Sequence, residues 1–193
     1  MGGVHKDGRE IVEVADLVEW RDWLQSNHES AGPVWVTNSK KDGQVAAVSY
    51  DDASDEALCW GWIDSTVNRM DEHRYLTLFA RRNPKSGWSR VNKERVEDLR
   101  RQGRMREPGE QAILVAIGNG SWELLDAIEA LELPDDLAGA INADPIAVKG
   151  YESMPRGMKK ELIRRVVLAR RPETRDKWIS QGVADAKARG LKT

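Results

Sequence analysis

A chain of 193 residues, 40% hydrophobic and 32% charged, is long enough to bury a core and too apolar for a disordered segment. Its apolar runs fall well short of the roughly 18 residues a membrane-spanning helix needs, which argues against a helical membrane protein. A single cysteine excludes an intramolecular disulfide and a cysteine-based zinc site.

The net charge of −2 hides an uneven distribution. Residues 1–80 hold 7 Lys/Arg against 15 Asp/Glu, residues 81–106 hold 10 against 3, and residues 107–193 hold 13 against 14. A basic segment set in an acidic body can steer an anionic partner.

Residues 1–7 lack an apolar stretch and a small-residue cleavage site, so we expect no secretory signal and a cytoplasmic location. Glu10-Ile11-Val12-Glu13-Val14 alternates like a short strand. Asp16 suits a helix N-cap, and Leu17, Trp20 and Leu24 then repeat at helical spacing up to Asn27. Gly32-Pro33 breaks the pattern, and Val34-Trp35-Val36-Thr37-Asn38 reads as a strand. Asp42-Gly43 is a strong hairpin signal, with Val45–Val48 as the returning strand. Ser49-Tyr50-Asp51-Asp52 opens a helix to about Trp60, stopped by Gly61. Residues 62–67 and 73–80 read as two more strands.

Asn83-Pro84-Lys85-Ser86-Gly87 has the chemistry of a loop. Ser89 caps a helix over about 90–102, and Pro108 stands near the start of another, running to Gly118. Beyond Trp122, Pro134, Pro145, Pro155 and Pro172 each open a helical pattern, the longest over 158–169 and 173–188. The expected fold is α+β. A small antiparallel sheet with helices occupies residues 1–88, and a mainly helical extension, residues 89–193, packs on it.

Two constellations stand out. Asp64 follows Trp60 and Trp62 in an apolar stretch, where burial would raise its pKa unless a cation paired with it. Arg82 is the expected partner. Asp64 is then either an acid/base or ligand-orienting carboxylate, or half of a structural ion pair. The second group is Arg82, Lys85, Ser86, Trp88, Ser89 and Asn92, around the start of the helix at residue 90. Helix amides and a guanidinium there can hold an anion. Alternatively, Ser89 simply caps its helix, Trp88 is core and the cations face solvent.

Arg100, Arg101, Arg104 and Arg106 extend the basic run, and Trp88 could stack a base. With a pI of about 6.0 and no recognised binding motif, nucleic acid ranks behind the other readings. Nucleophile elbows, dinucleotide fingerprints and phosphate loops are absent, and His5, His28 and His73 stand apart from one another. We expect no catalytic residue, cofactor or metal. Cys59 is expected to be an inert buried thiol. With one Phe and three Tyr, the eight tryptophans supply most of the aromatic volume and are expected mainly in the core.

Several stretches together resemble the YdeI/OmpD-associated, bacteriocin-protection family. They are Glu19-Trp20-Arg21-Asp22-Trp23-Leu24, Ser49-Tyr50-Asp51-Asp52-Ala53, and Glu56 through Ser65. Phe79, Arg82, Pro84, Lys85, Ser86, Trp88, Ser89 and Asn92 follow, then Met154-Pro155 and Ala169 through Arg175. The likeness runs from about Trp20 to Ala184. It departs at Ala80-Arg81, where the family usually has Thr-Pro or Ser-Pro, and at Trp60, where Phe is common. The resemblance implies a link to bacteriocin or antimicrobial-peptide tolerance and to an outer-membrane porin, with some members periplasmic. It implies no agreed catalytic residue. The leading expectation is a non-enzymatic binding or stress-tolerance protein. Its cleft, bounded by Asp64, Arg82, Ser86, Trp88, Ser89 and Asn92, would take a small anion or a peptide or protein partner. An enzyme using Asp64 and a nucleic-acid binder using residues 81–106 are the alternatives.

Overall fold

The computed structural model describes residues 5–40 and 45–192, in two compact units, Met1–Trp122 and Glu123–Thr193. The chain is α+β. Its five-stranded sheet lies in the first unit, and the second unit is helical among the described residues. None of the described helices is long and apolar enough to cross a membrane.

The first unit begins with β1 (His5–Lys6) and β2 (Arg9–Val12), paired antiparallel across Asp7-Gly8. Both turn residues have positive φ, 54° and 73°, as a two-residue hairpin that follows the strand twist requires. The hairpin expected at Asp42-Gly43 lies outside the described residues. Val45–Val48 do not form the expected returning strand. They contribute one isolated bridge, Val48 to Asn38, and it is parallel.

Helix α1 (Leu17–Asn27) is capped by Asp16, whose carboxylate accepts from the amides of Val18 and Glu19. It carries the chain back to β3 (Val34–Ser39), which therefore lies parallel to β2. One sheet pairing is thus parallel where an antiparallel sheet was expected, because the connection contains a helix and not a tight turn. After α2 (Tyr50–Cys59) come β4 (Trp62–Arg69) and β5 (Arg74–Arg81). The strand order is β1-β2-β3-β5-β4, with β5 inserted antiparallel between β3 and β4. Trp20, Leu24, Val34, Val36, Ala53, Ala57, Trp62 and Phe79 form one core. Trp20 stacks on Trp23 with ring centres 5.2 Å apart, and Trp62 donates its indole N–H to the His28 carbonyl.

Helices α3 (Arg90–Arg101) and α4 (Glu107–Gly118) build a second core with the end of α2. It contains Leu58, Cys59, Trp88, Val96, Leu99, Ile113 and Ala116. Two glycines permit the close approach of α4. A Cβ on Gly109 would lie 2.4 Å from the Cys59 carbonyl oxygen. Gly61, at φ +73°, ends the α2 segment with its Cα facing the Pro108 carbonyl.

The second unit comprises α5 (Asp126–Ala130), α6 (Asp135–Asn142), α7 (Pro145–Glu152), α8 (Arg156–Val167) and α9 (Pro172–Gly190). Proline fixes φ and needs no amide partner, so it stands at or just before the first turn of α6, α7, α8 and α9. Ile128, Leu137, Ile141, Ile163 and Val166 fill the core. Arg175 on α9 grips Asp136 on α6 with two hydrogen bonds of 2.6 and 2.9 Å and caps the Val166 carbonyl of α8.

Helices α7 and α9 meet backbone to backbone. A Cβ on Gly150 would lie 1.8 Å from the Ala186 carbonyl oxygen, whereas one on Gly139 would meet nothing within 4 Å. We expect Gly150→Ala to destabilise the second unit by about 3 kcal/mol, because overpacking forces the backbones apart. Gly139→Ala should stabilise it by about 0.5–1 kcal/mol through helix propensity. Denaturant unfolding of both variants measures the contrast, and equal effects would show that the α7–α9 contact is looser than described.

Candidate functional site

The segment between β5 and α3 carries most of the expected site residues. Arg82 extends the β-ladder by one residue, its amide donating to the Gly61 carbonyl at 2.9 Å. Asn83 then organises a tight turn. Its carbonyl accepts from the Ser86 amide and hydroxyl, and its side chain accepts from the Lys85 amide. Asn119 and Ser121 both donate to the Pro84 carbonyl at 2.8 Å, tying the loop to the segment that follows α4. Trp88 is 1% exposed and packs against Trp122 at 4.9 Å.

Arg82 lies over Trp88, its guanidinium carbon 3.7 Å from the ring centre. Nη2 donates to the Gly87 carbonyl at 2.7 Å. Nε and Nη1 are buried and have no hydrogen-bond partner among the described residues. Burial pushes the guanidinium down to about 10, an effect the Asp64 charge only partly opposes. A half-buried cation with two idle donors is costly, and a ligand that accepts from them would remove that cost.

Beside Arg82 is a cavity of about 170 Å³, walled by Asn83, Pro84, Trp88, Gln111, Ala112, Val115 and Ala116. A second, open hollow of about 480 Å³ is lined by His28, Trp60, Gly61, Arg81, Glu107 and Gln111, among others. Arg82 and Gln111 border both.

Arg82 and Trp88 alone of the expected residues line the cavity. Asp64 accepts from the Tyr50 hydroxyl at 2.7 Å, and among the described residues no ion pair joins it to Arg82. Burial, and then this hydrogen bond, raise the Tyr50 phenol above its usual value. Ser86 is taken up by the Asn83 turn, and Lys85 is exposed. Ser89 caps α3 by accepting from the Asn92 amide at 3.3 Å. The opposite wall, Gln111 to Ala116, comes from α4. Sequence reasoning missed it because Ala112, Val115 and Ala116 read as ordinary helix-core positions. The signal that pointed there is the pair Gly61 and Gly109, which brings α4 close.

The basic run is matched locally by acids. Arg90 pairs with Glu94, Arg95 with Asp51 and Asp55, Arg100 with Glu97 and Glu110, and Arg101 with Asp98. Arg104 reaches Glu56, the most buried carboxylate of the first unit, whose side chain is 1% exposed. Arg21 binds Glu56 through two 2.9 Å bonds, and the Trp60 indole donates at 3.3 Å. Burial would raise the Glu56 carboxyl, but the Arg21 and Arg104 hydrogen bonds outweigh it and hold it below its usual value. Cys59, one turn on, is pushed up to about 12, chiefly by burial, and stays a thiol.

In the second unit a larger cavity, about 300 Å³, lies among Met154 before α8, Met158 and Leu162 on α8, and Trp178 on α9. Its rim groups are already engaged, Arg165 with Glu161 and Gln181 with Asp185. The smaller cavity at Arg82 is therefore the stronger candidate, since its lining includes a guanidinium with no ion pair among the described residues.

A family model described as a domain of unknown function, DUF8412, matches residues 12–112, just over half of the chain. The chain belongs to the DUF8412 family. That match lies within the first unit and contains Arg82, Trp88 and Gln111. A second model, described as bacteriocin-protection, YdeI or OmpD-associated, matches residues 130–189, within the second unit. The resemblance drawn from sequence holds there, including Met154-Pro155 and the run through Arg175. The earlier stretches that were read with it, from Glu19 to Asn92, fall in the DUF8412 region. No curated protein and no solved structure matches the chain.

The Glu56 cluster of this DUF8412 region has a measurable consequence. Its folded carboxyl titrates below the unfolded value, so its stabilisation is present above about 4.5 and is lost as pH falls through the folded value. Glu56→Gln should cost on the order of 3 kcal/mol at pH 7, because it leaves Arg21 and Arg104 without a buried counter-charge. The variant should also lose less stability than wild type between pH 5 and pH 3, in melting curves run across that range. Parallel pH profiles would sink the assignment.

Proposed function

We propose that this is a non-enzymatic binding protein whose site is the Arg82–Trp88 cavity, and that it takes a small anion or an anionic group of a peptide. The observation that carries the reading is the pair of buried nitrogens on Arg82 that have no hydrogen-bond partner among the described residues. Arg21 and Arg104 instead reach the Glu56 carboxylate, and Arg104 leaves only its Nε without a partner among the described residues. Native proteins rarely leave a buried donor idle without a functional reason.

Two further observations favour binding over the alternatives. Asp64, the acid an enzyme would use, is engaged by Tyr50 and does not line the cavity. Five of the eight arginines in residues 81–106 are matched by carboxylates, which leaves less unpaired charge for a phosphate backbone. The match of residues 130–189 to a bacteriocin-protection model supports a role in tolerance of bacteriocins or antimicrobial peptides. In that reading the first unit supplies the ligand site.

Arg82→Met tests this with opposite signs for the two roles. Methionine keeps an apolar chain over Trp88 and removes the uncompensated charge. If Arg82 serves a ligand, the variant should unfold within about 1 kcal/mol of wild type, or be more stable, and lose any anion-dependent rise in melting temperature. Acetate and phosphate titrations followed by thermal melting supply the readout. A loss of 3 kcal/mol or more with no anion effect in wild type would make Arg82 a structural residue.

A further inference from the structure

We infer that the ligand of the Arg82 cavity is a monocarboxylate on a compact apolar body, such as a branched short-chain acid, an aromatic acid or the C-terminus of an apolar peptide. This rests on the reading of Arg82 as an anion site and narrows it.

The charge count comes first. Arg82 is the one charged side chain among the residues lining this cavity. A monoanion cancels that charge. A phosphate dianion would carry surplus negative charge into an apolar space, where its lost hydration has no second cation to offset it. Planar carboxylates also match guanidinium donors in geometry, and charge-assisted bonds of this kind are strong.

The walls argue for an apolar body. Trp88, Pro84, Ala112, Val115 and Ala116 present carbon surface, with Asn83 and Gln111 as the uncharged polar groups. The volume, about 170 Å³, is room for roughly half a dozen water-sized groups, which acetate alone would leave partly empty. The apolar surface also continues outward along α4. Val115, which lines the cavity, is 48% exposed and carries that surface to the outside. A carboxylate seated on Arg82 can therefore run its body along the α4 wall, with burial of that body adding to affinity. Lys85 and Lys93, the cations that would favour a phosphate, are not among the lining residues.

The test is a titration of the full chain with 4-methylpentanoate, 4-methylpentanamide, N-acetyl-leucine, acetate and inorganic phosphate. Tryptophan fluorescence reports binding, since Arg82 lies on Trp88. We expect 4-methylpentanoate or N-acetyl-leucine to bind about tenfold or more tighter than the amide, acetate and phosphate. Whichever of those two acids binds tighter distinguishes a free acid from a peptide C-terminus, and either result supports the inference. Arg82→Met should lose about tenfold or more of that affinity. Val115→Asp, at a position exposed enough to tolerate it, should lose as much by charge repulsion at the wall. Phosphate or acetate binding as tightly as 4-methylpentanoate would overturn the ligand class and leave the anion site standing. If no anion binds, or if binding survives Arg82→Met unchanged, the site assignment itself is overturned.

Discussion

A carboxylate that is 1% exposed holds the first unit together where its helices meet. Glu56 sits on the last full turn of α2 and takes hydrogen bonds from Arg21 on α1, Arg104 between α3 and α4, and its own neighbour Trp60. A buried charge is tolerable only when its partners are close and well aligned, so these three donors cannot drift independently. The consequence reaches the site. With the end of α2 fixed, the Cys59 carbonyl is in place to accept from the Arg106 amide and to face the bare Cα of Gly109. Those contacts set where α4 begins, and α4 is one wall of the cavity beside Arg82.

Glu56 and Arg82 are opposite solutions to the same physical problem. Both bring charge out of water. Glu56 has four hydrogen bonds from three side chains, and its carboxyl stays ionised despite burial. Arg82 has one hydrogen bond, an indole face and two idle nitrogens, and its guanidinium is pushed down. The first arrangement spends its charge on the fold. The second holds charge in reserve, which makes sense for a protein only if something else completes it. Trp88 is the link between them, since it belongs to the α2–α3–α4 core and also floors the Arg82 guanidinium.

The two units show how differently small residues are used. In the first, Gly61 and Gly109 let a helix end and a helix start approach each other beside the cavity. In the second, Gly150 and Gly190 let α7 and α9 touch along their backbones and close a helical core. The division also follows the family matches, with residues 12–112 and 130–189 falling in separate units.

Local chemistry was legible along the chain. Asp16, Ser49 and Ser89 cap the helices they were expected to cap, and Gly61 stops α2, because a cap needs only neighbours within a turn. The strands after Trp62 and before Arg82 are where their β-branched and aromatic residues put them. Register and direction were not legible. Asp7-Gly8 joins β1 to β2, and the two-residue β1 is too short to announce that pairing in sequence. The parallel β2–β3 pair follows from where α1 lands. Arg82 and Trp88 could be singled out as residues, since their types and the turn between them are local facts. Their partners could not. Whether Arg82 meets Asp64, or instead lies over Trp88 facing a wall of α4, depends on contacts between segments tens of residues apart, and burial of the guanidinium is a property of that assembled neighbourhood alone.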